Sequence, residues 1–249
     1  MFQSSPVLGT ILNVSGILAG GIVGLIRRQP LSARHEAWFK VTLGAFMVFY
    51  GLRLTWMSFS GSWMQILKQL LIAVLGLMLG RITGRLLRLQ SLSNHIGRIA
   101  RERLANASAN DPQRISQGFK ACAALYCASP LAVLGTVQDG LSGYYYPLAL
   151  KAVIDGLATL GFVSMFGWGV IMAALPVLAW QGSLWLLCSR VLRPLFEANG
   201  QLVLVDAINA VGGLLVFCLA LIVLGLKKVE VADYLPSLVF APLIAWFWP

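Results

Sequence analysis

The stretch LGTVQDGLSGYYYPLALKAVID, residues 134–155, sets Gln138, Asp139, Lys151 and Asp155 between two long apolar runs. Lys151 and Asp155 are four residues apart, which places an ammonium and a carboxylate on one face of a helix, where they partly neutralise each other. A carboxylate with a counter-charge inside an apolar span can hold a cation or carry a proton. Asp206 and Asn209 follow in VDAINAVGG at i and i+3, Asn13 and Ser15 stand in ILNVSG, and Gln181 in LAWQG. Singly, such residues are more often interhelical hydrogen bonds than ligands. Five apolar spans each supplying one or two of them are expected to converge. No phosphate loop, no Gly-x-Ser-x-Gly elbow and no His-Glu-x-x-His is present, so no enzyme is expected. Cys122, Cys127, Cys188 and Cys218 show no Cys-x-x-Cys spacing, and His35 and His95 lie in basic loops, so neither a metal site nor a cofactor is expected.

The elements that must position these residues follow from composition. The 249-residue chain is 58% hydrophobic and 11% charged, with a mean hydropathy of +0.79, against about 25% charged in soluble domains. Its apolar blocks match the roughly 30 Å hydrocarbon core of a bilayer at about 20 residues each. The expected fold is all-α: a polytopic transmembrane bundle with discontinuous helices around a central polar site. Spans are predicted near 7–26, 41–59, 63–80, 118–137, 146–166, 168–189, 204–226 and 233–248. The last is short and carries Pro236 and Pro242, so seven full spans plus a broken one fit equally well. Within the span starting near 146, Lys151 lies about 7 Å deep and Asp155 about 13 Å. A lone charge at the bilayer centre costs about 2.5–3.5 kcal/mol, which makes an intramembrane charge a candidate site. A packing ion pair is the alternative. The stretch ASPLAVLGTVQDGLSG, with Pro130, Gly135, Gly140 and Gly143, reads as a helix break whose freed backbone lines a cavity, or else as an ordinary outer loop. Gly16, Gly20 and Gly24 form overlapping G-x-x-x-G patterns, the mark of close helix packing.

Charge sets the orientation. The net charge is +10, and 14 of the 19 basic residues lie in the connections 27–40, 81–120 and 227–228. That is the distribution of cytoplasmic loops, not of a nucleic-acid surface. Both termini are then outside and 81–117 is cytoplasmic; Arg190 and Arg193 run against this. In RLLRLQSLSNHIGRIARERL, Leu86, Leu89, Leu92, Ile96 and Ile99 recur at helical spacing, with Arg85, Arg88, Arg98 and Arg101 disposed to meet the anionic inner leaflet. A solvated linker helix is the alternative. Residues 105–117 read as a flexible linker, so one membrane domain spans 1–249: a first helical group (1–80), a basic cytoplasmic linker (81–117) and a second group (118–249). A weak echo between FKVTLGAFMVFYGLRL and FKACAALYCASPLAVLG hints at internal repetition, and homo-oligomerisation stays open. The first span lacks a basic flank before it and a cleavage site after it, so it reads as a retained helix.

In the blocks CASPLAVLGTVQDGLSG, LKAVIDG, LAWQG, AVGGLL and GLKKVEVADYLPSLVFAPL, together with LNVSGILAGGIVG, the chain resembles the YqgA-like family. These are bacterial inner-membrane proteins grouped under a domain of unknown function and commonly placed among transporters. The resemblance implies a polar pair followed by Gly at Gln138, Asp139 and Gly140, the Lys–Asp pair at Lys151 and Asp155, and Gln-Gly at Gln181 and Gly182. This sequence departs from the family at Ser129, where Gly is usual, and at Asp233, where Asn is usual. The expected function is a membrane transporter or channel for a small solute or ion, its path lined by Gln138, Asp139, Lys151 and Asp155, with Asp206, Asn209, Asn13 and Gln181 nearby. Asp155 would carry a cation or proton and Lys151 balance it. The alternative is a non-transporting scaffold or assembly protein whose buried polar network serves packing.

Single introduced cysteines test the topology in intact cells. A thiol at position 106 should resist an impermeant reagent; ready labelling there would overturn the assignment.

Overall fold

The structure is a computed structural model describing residues 7–27, 32–105, 112–198 and 200–248. The side chain of Arg101 lies outside the described set. Twelve helical segments follow in order among the described residues: α1 (Leu8–Arg27), α2 (Ala33–Met57), α3 (Trp63–Leu86), α4 (Leu89–Ala105), α5 (Arg114–Cys127), α6 (Pro130–Ser142), α7 (Tyr146–Phe166), α8 (Ala174–Leu186), α9 (Arg193–Ala198), α10 (Leu202–Val223), α11 (Val231–Tyr234) and α12 (Ser237–Phe247). A 3-10 turn, Gly167–Ala173, precedes α8, and a π-helical turn, Leu187–Leu192, follows it.

Five helical stretches are long and apolar enough to cross a bilayer, and the bent pair α5–α6 makes a sixth. One of the five, Tyr146–Ala198, runs for 53 residues, about 80 Å if straight, far more than one bilayer. It doubles back. Gly16 lies against Ala152, Gly20 against Gly156 and Gly24 against Leu160, so α1 and α7 run parallel. Gly21 meets Ile171 while Asn13 bonds Gln181, so α8 runs antiparallel to both. The reversal falls at Gly167, whose φ of 68° and ψ of −157° only glycine adopts readily.

The same bookkeeping places the remainder. Gly44 meets Leu224 and Gly51 meets Phe217, which sets α2 antiparallel to α10. Gly76, Gly80 and Gly84 meet Ala241, Ser237 and Asp233, which sets α11–α12 antiparallel to α3. Among the described residues the apolar helices therefore alternate in direction along the chain, the short apolar segment Val231–Phe247 coming last. The amino-terminal end of α1, the 58–62 turn and the 143–145 turn share one face. The ends of α3 and α10, the start of α5 and helix α4 share the other, basic face. The residues of 1–80 do not stand apart as a half: each of their helices packs on one from 118–249.

The helix break expected within ASPLAVLGTVQDGLSG falls at its first two residues. TVQDGLSG is not a break; it forms the last turns of α6. The break lies upstream at Ala128–Ser129, where α5 and α6 meet at 56°. Ser129 precedes Pro130 and is driven to an extended conformation (φ −64°, ψ 128°), while Pro130 opens the new helix with its fixed φ and its missing N–H unneeded. Gly135 and Gly140 stay helical because their bare faces receive Leu148 and Cys188. Gly143 then ends α6 in the left-handed conformation (φ 70°). Of the linker expected over 105–117, residues 114–117 are helical, in α5, and 106–111 lie outside the described residues.

Two apolar cores flank α6. One joins Ile17, Cys122, Tyr126, Phe166, Val170 and Val177 from α1, α5, α7 and α8. The other joins Ala73, Val211, Leu215, Val231 and Ala241 from α3, α10, α11 and α12, with Leu134 of α6. On the amino-terminal face Tyr50 stacks on Tyr146 at 4.3 Å, and Tyr144 Oη donates to the Tyr50 carbonyl at 2.8 Å, fastening the α6–α7 turn to α2. Tyrosines at this level suit a membrane interface.

The α1–α7 contact depends closely on glycine. Gly20→Val puts a branched side chain onto the Gly156 carbonyl and should destabilise the purified protein by about 1–3 kcal/mol or prevent folding. Gly161→Ala, where nothing lies within 4 Å of the added carbon, should leave the melting temperature unchanged. Equal melting temperatures for the two variants would refute this packing.

Candidate intramembrane polar site

Helix α6 has 13 residues, ten of them buried, including Thr136, Gln138, Asp139 and Ser142. At 1.5 Å per residue it is about 20 Å long and cannot cross a bilayer alone. Its polar residues face three different neighbours.

Asp139 faces α1. Its Oδ2 accepts the Gly9 N–H at 3.1 Å. Gly9 is the second residue of α1, so this amide has no partner within its own helix, and the carboxylate sits at the positive end of the helix dipole. Asp139 is 2% exposed, yet Oδ1 has no partner among the described residues, nor has Oγ1 of the adjoining Thr10. Gln138 faces α10, against Gly212; neither its Oε1 nor its Nε2 has a partner among the described residues. Ser142 donates to the Gln138 carbonyl at 2.7 Å and lies 3.4 Å from Asn209 Oδ1.

The third group fills the space between α1, α5, α7 and α8. Lys151 Nζ donates to both oxygens of Asp155, at 3.0 and 2.7 Å, and the two residues are 1% and 4% exposed. The ammonium lies 5.9 Å from the Tyr126 ring centre. Tyr126 Oη and Thr159 Oγ1 are 2.8 Å apart, and Thr159 donates back to the Asp155 carbonyl. Asn13 Nδ2 donates to Gln181 Oε1 at 3.3 Å, and the same Asn13 side chain faces the Asp155 carboxylate. Asn13 Oδ1 and Gln181 Nε2 have no partner among the described residues.

The structure thus gathers Asn13, Lys151, Asp155 and Gln181 into one cluster. It sets Asp139 about one helical turn away along α1, since Gly9 and Asn13 differ by four residues, roughly 6 Å. Gln138 and Asn209 lie on the far side of α6. Asp206 is not brought in: it is half-buried beside a crevice of about 20 Å³ lined by Ser58, Gln69 and Ala245, room for about one water. Thr10, Tyr126, Ser142 and Thr159 were not singled out from the sequence. Two of them carried a signal there: Ser142 follows Gln138, and Thr159 follows Asp155, by four residues on the same helix face.

Fold and site together define an all-helical, multi-pass membrane protein whose interior holds, among the described residues, an ion pair, an unbalanced carboxylate and three incompletely bonded carboxamides. The chain belongs to the DUF554 family, proteins of unknown function, whose profile matches residues 8–246. It is 29% identical over 238 residues to the uncharacterized membrane protein YdfK of Bacillus subtilis (strain 168), covering 96% of this chain and 95% of that one. It is 26% identical over 245 residues to the uncharacterized protein YqgA of Escherichia coli (strain K12), covering 97% of each. No solved structure matches the chain.

Removing one member of the Lys151–Asp155 pair leaves the other charged and buried, which costs about 3–5 kcal/mol. Lys151→Met and Asp155→Asn should each lower the melting temperature and the membrane level sharply, and the double variant should recover part of both. A double variant no better than the worse single one would show that the two charges act separately.

Proposed function

We propose that the protein carries a small cation, the proton included, across the inner membrane, binding it at Asp139. The reading rests on one observation: among the described residues, Asp139 is the one carboxylate of the α1, α6, α7 and α8 interior without a cationic partner. Asp155 is matched by Lys151, so two carboxylates and one ammonium leave a net charge of −1 there. A buried unmatched carboxylate is stable only when protonated or joined by a cation. Asp139 Oδ1 and Thr10 Oγ1 offer oxygen ligands to such an ion, and Asn13 Oδ1 lies one turn further along α1. The carrier role expected of Asp155 passes to Asp139, because Lys151 already occupies both Asp155 oxygens.

Closure favours a carrier over an open channel. Asn13, Gln138 and Gln181 are all 0% exposed and Asp139 2%, which describes an occluded site. The basic face is assigned to the cytoplasm, with α4 lying along the inner leaflet. The packing alternative also has an observation in its favour, since the Asp139–Gly9 bond is by itself a good helix cap.

Asp139→Asn separates the two readings. The amide oxygen still accepts from Gly9, but the side chain loses its charge. A carrier should show cation affinity or flux reduced about 10–100-fold in sodium, potassium or proton gradients across liposomes, the equivalent of about 1.4–2.7 kcal/mol, with an unchanged melting temperature. A packing residue should show a lower melting temperature and no flux in the native protein to lose.

A further inference from the structure

On the basic face, the ends of α3, α4 and α10 and the 227–230 connection enclose a cavity of about 910 Å³. Its lining is of two kinds: Cys218, Leu221 and Ile222, in the last turns of α10, form an apolar wall, while Arg81, Lys227 and Lys228 are exposed cations. We infer that this cavity is a binding site for an anionic phospholipid of the inner leaflet, its phosphate held by Arg81, Lys227 and Lys228 and an acyl chain lying along Leu221 and Ile222.

Charge is the first support. Among the described residues no carboxylate forms an ion pair with Arg81, Lys227 or Lys228. The one carboxylate in the lining, Glu230, is engaged by Arg85 at 3.3 Å. Three cations against one carboxylate leave the lining at +2. Of the arginines that the sequence suggested for this role, Arg85 of α3 pairs with Glu230 at 3.3 Å and Arg98 of α4 with Glu102 at 3.7 Å.

Preorganisation is the second. The Arg81 guanidinium rests over the Tyr234 ring at 5.5 Å, which fixes its direction. Gln90 anchors the α4 side: its backbone N–H donates to Asp233 Oδ1 at 2.7 Å, its Oε1 accepts from Ala232 N–H at 3.0 Å, and its Nε2 donates to Asn94 Oδ1 at 3.0 Å. The third is the apolar wall. A soluble anion has no use for Leu221 and Ile222, whereas an acyl chain gains by covering apolar side chains. Basic pockets between helices on the cytoplasmic side are suited to anionic headgroups. The inference is independent of whether the interior carries a cation.

Native mass spectrometry of the full chain, released from detergent with defined lipids, tests it. Wild type should retain phosphatidylglycerol or cardiolipin in preference to phosphatidylethanolamine, and inorganic phosphate should not displace them. Arg81→Gln/Lys227→Gln/Lys228→Gln should weaken retention at least about tenfold. Leu221→Trp, which keeps every charge and fills the apolar wall, should weaken it too, and it decides the question together with Lys228→Gln if the triple variant fails to fold. Equal retention of neutral and anionic lipids, or undiminished retention in these variants, overturns the proposal. Displacement by inorganic phosphate, with Leu221→Trp unaffected, would instead make the site one for a soluble anion and overturn it equally.

Discussion

A bilayer offers no water to a helix end, and α6, about 20 Å long, cannot bring both of its ends to the surfaces. That constraint organises everything around it. Its carboxyl end is closed locally: Gly143 N–H reaches the Asp139 carbonyl at 2.9 Å, Tyr144 N–H the Gln138 carbonyl at 3.3 Å, and Ser142 Oγ the Gln138 carbonyl at 2.7 Å. Its amino end begins with a proline, which has no N–H to satisfy. A helix so short needs neighbours on every side, and they approach through glycines: Gly135 and Gly140 on α6 itself, and Gly212 on α10. The price of this central placement is that Gln138 and Asp139, one on each flank, are withdrawn from solvent.

Two buried aspartates solve the same problem at two distant places. Asp139 satisfies an amide at the start of α1, and Asp233 one at the start of α4, from 130 and 143 residues away in sequence. Neither helix carries an acidic residue in its own first turn. Each carboxylate therefore supplies both the missing acceptor and the charge that complements the helix dipole. This gives the departure at Asp233 a structural meaning. An asparagine oxygen could accept the same Gln90 N–H, and the aspartate adds a negative charge at the amino end of α4. The two sites differ in what is left over: Asp233 lies on the basic face, whereas Asp139 is enclosed between α1 and α6.

The sequence made the helices and the close pairs legible, because both follow from local periodicity. Lys151 and Asp155 needed only a spacing of four, and the glycines of α1 only theirs. What lies across a contact is a different kind of information. Asn13 and Gln181 are 168 residues apart, and no local pattern links them. The glycines around Gln138 were misread for a physical reason: glycine marks a broken helix and a closely packed helix alike, and only the presence of Leu148 and Cys188 tells the two apart. Asp206 looked equivalent to Asn209, but three residues turn it about 300° around the helix and one turn towards the amino-terminal face. There it meets Ser58 and Gln69 instead of α6.

The arrangement of cores also bears on how an enclosed site could open. The α1–α7 contact runs through glycine and carbonyl groups with no side chain to rearrange, so these two helices are poorly suited to slide and well suited to move together. They share an apolar core with α5 and α8, while α3, α10, α11 and α12 share another. Helix α6 contributes Leu134 to the second core, yet Asp139 holds the first helix of the other group. A third core, with Leu43 and Met47 of α2, Leu131 of α6, Leu150 of α7 and Val216 of α10, also joins the groups beside α6, whereas the polar contacts across α6 itself are single. If the site is a carrier's, the Asp139–Gly9 bond is the contact that must yield. Neutralising the Asp139 charge, by a proton or by a bound cation, weakens its hold on the positive end of α1, so the event that loads the site also loosens the contact closing it.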